Sequence, residues 1–211
     1  MSERRDLDII TSLVPRGSRV LDLGCGTGEV LAHLTRHHGC SGYGIEIDDA
    51  NVLASTQRGV NVIQLNLEEG LALFDDRSFD VVLQLDTLQH LRNTERMLRE
   101  TARVGRIGIV SFPNFAHWPV RWQLFSRRRM PKTGKLPDEW YETLNIHLTT
   151  IFDFREFCHK AGLNIRQEIP LRTSGPGRRS VVRFLPNLRA DSAIFVLEAG
   201  PMMTAGPAPA H

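Results

Sequence analysis

The chain has 211 residues, 41% hydrophobic and 24% charged, which is enough apolar material for one globular domain without covalent staples. Lys plus Arg number 26 and Asp plus Glu 24, so the net charge is only +2, and the large basic excess of a dedicated nucleic-acid binder is missing. Cys25, Cys40 and Cys158 are far apart without a C-x-x-C pair, no signal-peptide core opens the chain, and no apolar run approaches the ~18 residues of a membrane span. The expectation is a cytoplasmic protein with reduced thiols, no membrane contact and no metal site.

Leu7, Ile10, Leu13 and Val14 recur at helical spacing, and Pro15 and Gly17 end that first helix. From Arg19 onward, short apolar runs alternate with helix patterns. Strands are expected at residues 19–23, 42–47, 61–65, 79–85 and 104–110, with helices at 29–36, 50–57 and 94–102. The rhythm then stops. Residues 112–150 carry Trp118, Trp122 and Trp140 together with Arg121, Arg127, Arg128, Arg129, Lys132 and Lys135, and read as an insertion lying over one end of the sheet. Asp153-Phe-Arg-Glu156 looks like a capping-box start for a further helix, which Gly162 stops. Two last strands follow at 164–170 and 193–197, separated by a basic connection containing Gly and Pro. The prediction is an α/β domain over residues 1–198, with a doubly wound, mostly parallel seven-stranded sheet covered by helices on both faces. Residues 199–211 are small and Pro-rich, the composition of a disordered tail.

The chemistry concentrates in Val20-Leu-Asp-Leu-Gly-Cys-Gly-Thr-Gly28. A strand runs directly into three glycines and then a helix, so a ligand can approach main-chain N–H groups closely. Glu46 ends the next strand, where a carboxylate can accept both hydrogen bonds of a ribose diol. The glycine spacing is G-x-G-x-G, not the G-x-G-x-x-G of dinucleotide sites, and Asp22 would repel a pyrophosphate while suiting an ammonium group. A ligand combining an amino acid, a ribose and an adenine fits best. Asp22 as a plain helix cap and Glu46 as a solvated carboxylate are the bland alternatives. Cys25 reads as a small buried filler, and His33, His37 and His38 as surface residues.

This segment resembles the class I methyltransferases that bind S-adenosylmethionine (AdoMet). The resemblance implies that Asp22, Gly24, Gly26 and Gly28 hold the methionine end, Glu46 the ribose and Asn66 the adenine edge, with Cys25, Ile47, Leu67 and Leu85 completing the site for AdoMet or S-adenosylhomocysteine. Acceptor motifs of nucleic-acid methylases are missing: there is no Asn/Asp-Pro-Pro-aromatic after the fourth strand and no Pro-Cys. His147, in Asn145-Ile-His-Leu-Thr-Thr150, is the candidate general base, with a merely loop-bonded histidine as the equal alternative. Gly42-Tyr-Gly-Ile-Glu-Ile-Asp48, Ser111-Phe-Pro-Asn-Phe-Ala-His-Trp118, Arg129-Met-Pro131 and Leu136-Pro-Asp-Glu-Trp-Tyr141 are together similar to the MetW family of methionine biosynthesis proteins, from which Asp86 and His90 depart. That resemblance implies a role beside the homoserine O-acyltransferase, MetX, as partner; the alternative is a methyltransferase acting on a small-molecule acceptor. The three tryptophans read either as an interface or as a small core under the insertion, and Arg127–Arg129 as a solvated loop or an anion-facing run.

Overall fold

Residues along the central strands alternate between two helical layers, which is why nearly every position there is apolar. A computed structural model describes residues 3–134, 136–137, 139–143, 146–175 and 179–198. The tail and Asn145, with Lys135 and Asp138, lie outside the described residues. The first half runs α1 (Glu3–Leu13), β1 (Arg19–Leu23), α2 (Glu29–His38), β2 (Ser41–Glu46), α3 (Asp49–Gln57), β3 (Val62–Gln64), β4 (Phe79–Leu85), α4 (Thr94–Val104) and β5 (Gly105–Pro113). It continues with α5 (Trp118–Arg127), α6 (Ile151–Ala161), β6 (Asn164–Thr173), β7 (Arg179–Val181), α7 (Pro186–Arg189) and β8 (Ser192–Glu198).

The strands form one sheet in the order β3-β2-β1-β4-β5-β8-β6-β7. The first five pair in parallel, and β8, β6 and β7 are antiparallel. Val20, Val81, Leu83, Ile109 and Ile194 face one layer and pack on Ile10 of α1 and Leu31 and Leu34 of α2. Leu21, Leu23 and Val82 point to the other layer and meet Met97 and Val104 of α4. Further along that layer Val110, Phe112, Phe195 and Leu197 pack on Phe154 and Cys158 of α6. The chain builds outward from β1 in one direction through β2 and β3, then restarts at β4 on β1's other side. The carboxyl ends of β1 and β4 thus form the switch point at which open α/β sheets bind ligands.

Two expectations need correction. Among the described residues the sheet has eight strands, not seven: β7, only three residues long, pairs with β6 from within the basic connection. Its arginine and its brevity hide it, and both are ordinary at a sheet edge. Helix α6 starts at Ile151, and the capping box is Thr150 with Asp153 as its N3 partner, so Asp153 closes the box that it was expected to open. Within the insertion, β5 continues to Pro113 and α5 begins with Pro119 in its first turn, a favourable place for proline. Buried Asn114 anchors both ends of the segment: its Nδ2 donates to the Asn187 and Ala190 carbonyls at 2.9 and 2.8 Å, and its Oδ1 accepts from the Ala116 and Ile151 amides.

Candidate functional site

The glycine turn is built on the end of β2. Gly24 and Cys25 both donate their N–H to the Ile45 carbonyl, at 2.8 and 2.9 Å, which swings the chain across the strand ends before α2 begins. Gly24 has φ +73°, and a Cβ there would sit 2.8 Å from the Thr87 hydroxyl, so no other residue fits. Gly26 has φ +53°, yet a Cβ on it would meet nothing within 4 Å. Its glycine is therefore demanded by conformation, and the space above it is open to a ligand.

The loop's carbonyls are tied back to α3: Ser55 Oγ donates to Gly26 O at 2.8 Å, and Arg58 Nη1 to Thr27 O at 2.6 Å. Thr87 Oγ1 lies 3.0 Å from the carbonyls of Leu23 and Leu85, which bridges β1 to the end of β4. Sequence reasoning missed Ser55, Arg58 and Thr87 as supports. None carried a signal in sequence: Ser55 stands out only once α3 is seen to bury it.

Glu46 is only 9% exposed, which removes the solvated-carboxylate reading. Its Oε2 accepts from Gly26 N–H at 2.8 Å, and its Oε1 from the Ile47 and Asp48 amides at 2.8 and 3.0 Å. The carboxylate thereby fixes the glycine turn from the neighbouring strand. Asp22 is 2% exposed and does not cap α2, whose N-cap is Gly28. Burial, with the Glu46 charge adding to it, pushes the Asp22 carboxyl up to about 7. Two carboxylates thus converge under a turn of backbone amides, and nothing cationic offsets the inner one among the causes of its shift. This is a socket suited to a group carrying positive charge. Burial, then the Asp22 charge, pushes the Cys25 thiol up to about 12, so it is a filler and not a nucleophile.

The remaining positions divide. Ile47 is half exposed beside Glu46, and Leu85 is half-buried at the end of β4. Asn66 uses its Oδ1 to cap a 3₁₀ turn over Leu67–Glu69 by accepting from Glu68 N–H, while Leu67 itself packs in the core with Leu21 and Leu23. His147 is exposed, with Nε2 3.4 Å from the Arg92 carbonyl and its amide bonded to the Gln89 carbonyl. It lines a cleft with Arg92, Asn93, Asp153 and Phe157, and no residue of that cleft belongs to the glycine turn or is Glu46. The tryptophans are not a small core: Trp118, Trp122 and Trp140 are all exposed, as is Phe125 at 79%. Arg127, Arg128 and Arg129 join Trp140 around an open basic hollow beside α5. Among the described residues there is no group of His, Cys, Asp or Glu arranged for a metal, and no helix is long and apolar enough to cross a membrane.

The comparisons agree with this architecture. A family model described as methionine biosynthesis protein MetW matches residues 4–197. A relative, the bifunctional methionine biosynthesis protein MetXA/MetW of Rhodopirellula baltica, is 37% identical over 199 residues, covering 90% of this chain and 32% of the relative. The chain therefore spans about a third of that protein. A ubiquinone/menaquinone biosynthesis C-methyltransferase of Idiomarina loihiensis is 30% identical over 58% of this chain and 55% of its own. Among solved structures, a SAM-dependent methyltransferase from Thermotoga maritima, a possible histamine N-methyltransferase, is similar with TM-score 0.68 at 19% identity, covering 92% of this chain and 87% of that one. The magnesium protoporphyrin IX methyltransferase of Synechocystis with bound SAH has TM-score 0.66 at 18% identity, covering 94% and 84%. Both are similar in fold.

Proposed function

Because the chain belongs to the MetW family of methionine biosynthesis proteins and has the class I methyltransferase fold, we propose that it binds S-adenosylmethionine or S-adenosylhomocysteine at the glycine turn and serves, in the cytoplasm, as the partner of the homoserine O-acyltransferase, MetX. The observation that carries the cofactor reading is the paired carboxylate socket: buried Asp22 beneath the turn and Glu46 bonded to Gly26 N–H. The open space above Gly26 fits a ligand lying against the backbone there. Asp22 is suited to the cofactor's ammonium group, and Glu46 and Ile47 to its ribose. Asn66 stands on the adenine side, with Leu85 bordering the site. When bound, the cofactor supplies a sulfonium methyl group. The chain's own part is to hold the ligand: Glu46, Ser55, Arg58 and Thr87 fix the turn so that little ordering remains to be done on binding.

Support for the partner reading comes from the bifunctional relative, whose name joins MetXA and MetW in one protein. The surface best suited to such a partner is α5 with its following loop, where exposed Trp118, Trp122 and Phe125 lie beside three arginines. A second reading, transfer to a small acceptor, is favoured by a cavity that opens beside Leu85 at the ends of β4 and β5. Calorimetry with S-adenosylmethionine and S-adenosylhomocysteine tests the cofactor, and co-purification with the acyltransferase tests the partner. Binding of NAD in place of S-adenosylmethionine would overturn the first. A folded Trp118→Ala, Arg128→Glu variant that keeps full acyltransferase binding would overturn the docking surface.

A further inference from the structure

The basic hollow beside α5 measures about 630 Å³, within the ~300–1,000 Å³ of clefts that hold small-molecule ligands. It is lined by Arg127, the last residue of α5, and by Arg128 and Arg129 from the loop that follows. Lys132 and Glu139 also line it, but these two pair with each other at 2.8 Å. Among the described residues, no hydrogen bond or ion pair engages the side chain of Arg127, Arg128 or Arg129. A helix C-terminus favours nearby cations, yet its dipole amounts to about half a charge and accounts for one arginine, not for three. Three uncommitted cations in consecutive positions repel one another, and an anionic ligand would relieve that repulsion.

The walls are held in place before any ligand arrives. Gln123 of α5 clamps the Lys132 backbone twice: its Nε2 donates to the carbonyl and its Oε1 accepts from the N–H, each at 3.1 Å. Arg128 has φ +52° and donates its N–H to the Leu124 carbonyl, so an arginine occupies the left-handed cap that glycine usually takes. Trp140 completes the lining and is 68% exposed. Its ring meets Tyr141 edge to face, with centroids 5.5 Å apart, which covers at most one of the two indole faces. Trp118, Trp122 and Phe125 are a separate feature and do not line the hollow. At 3.6 residues per turn, Gln123 and Arg127 lie roughly 150° around α5 from that aromatic stripe.

We propose that this hollow binds a free nucleoside di- or triphosphate, its phosphates on Arg127, Arg128 and Arg129 and its base stacked on Trp140. Guanidinium forks match phosphate oxygens, and an exposed indole face accepts any base. The whole chain carries a net charge of only +2, which favours a single nucleotide over a nucleic-acid strand. The site rests on neither the cofactor reading nor the acyltransferase reading. The test titrates the full chain by calorimetry with ATP, GTP, ADP, AMP, adenosine and pyrophosphate, and reads Trp140 fluorescence in a Trp118→Phe, Trp122→Phe background. At least one nucleoside triphosphate should bind saturably and quench Trp140, with its diphosphate close behind and adenosine silent. Glycine suits the backbone at position 128, so Arg128→Gly should keep or raise Tm while weakening the nucleotide roughly tenfold. Trp140→Leu should weaken ATP and leave pyrophosphate unchanged, and saturating S-adenosylhomocysteine should displace neither. The proposal is overturned if no nucleotide binds, or if folded Arg128→Gly keeps full affinity. Competitive displacement by S-adenosylhomocysteine would also overturn it, by placing the nucleotide at the glycine turn. So would tighter binding of a single-stranded RNA of about ten nucleotides, which would make the hollow part of a strand-binding surface. Nucleotide binding in a protein that ignores S-adenosylhomocysteine would instead sink the cofactor reading and leave this one standing.

Discussion

Replacing Asp22 with asparagine should stabilise the fold at neutral pH while damaging ligand binding. The Asp22 carboxyl rises from 3.8 to about 7 because it is buried and faces Glu46. That difference of about three units corresponds to roughly 4 kcal/mol between protonation states. The folded chain holds this proton more tightly than the unfolded chain does. Asp22 therefore costs nothing below pH ~4, destabilises progressively as pH rises toward 7, and exerts its full effect above 7. Asp22→Asn should exceed the native chain by only about 1 kcal/mol at pH 4.5 and by up to about 4 kcal/mol at pH 8, or roughly 8–16 °C in Tm at the higher pH for a chain of this size. Urea denaturation at the two pH values measures the difference. Cofactor affinity should fall in the same variant by roughly 10- to 150-fold, the worth of a hydrogen bond to a charged group. In the native chain, affinity should increase with pH up to about 7, with proton release on binding below that point. Equal stability gains at pH 4.5 and pH 8, or none at either, would refute the buried-carboxylate reasoning.

Glu46→Ala should cost affinity on the same scale and, because it strands the Gly26, Ile47 and Asp48 amides, also lower stability by at least about 2 kcal/mol in a urea melt. A Cβ on Gly26 meets nothing within 4 Å, so Gly26→Val should fold, at a conformational cost of about 1–2 kcal/mol, while losing cofactor binding in calorimetry. Trp122→Ala with Phe125→Ala should weaken acyltransferase capture by more than an order of magnitude in a binding titration, whereas deleting residues 200–211 should not. Gln84 is fully buried in β4 with neither amide atom hydrogen-bonded, so Gln84→Leu should raise stability by about 1–2 kcal/mol, read as a higher Tm.

What could be read from the sequence was whatever local pattern decides. The alternating strands and helices from β1 to β5 and the glycine turn with its two carboxylates were legible because local spacing carries them, and the MetW family was legible through the resemblance of whole segments, which the family model matches over residues 4–197. Strand β7 was not, since three residues leave no period to detect. Nor was the burial of Asp22 or its meeting with the Glu46 charge, which only the assembled sheet creates. His147 could be singled out from its segment, but not the neighbours of its ring and amide, the Arg92 and Gln89 carbonyls, which come from a distant part of the chain. The supports of the turn, Ser55, Arg58 and Thr87, come from α3, its C-terminal end and the second residue after β4, too far along the chain for any motif to link them.

Asn114 has a consequence for how this molecule can change. One amide group closes the loop from the end of β5 to the start of α6, and Phe115 N–H to the Thr149 carbonyl closes it again. Everything between those ties begins and ends at the same point on the sheet. The stretch bearing α5, the tryptophans and the arginines is in effect an exchangeable cassette, which can be lengthened, shortened or rewritten while the strands beneath keep their spacing. Recognition of a partner can then drift on one schedule and ligand binding on another, within a single chain.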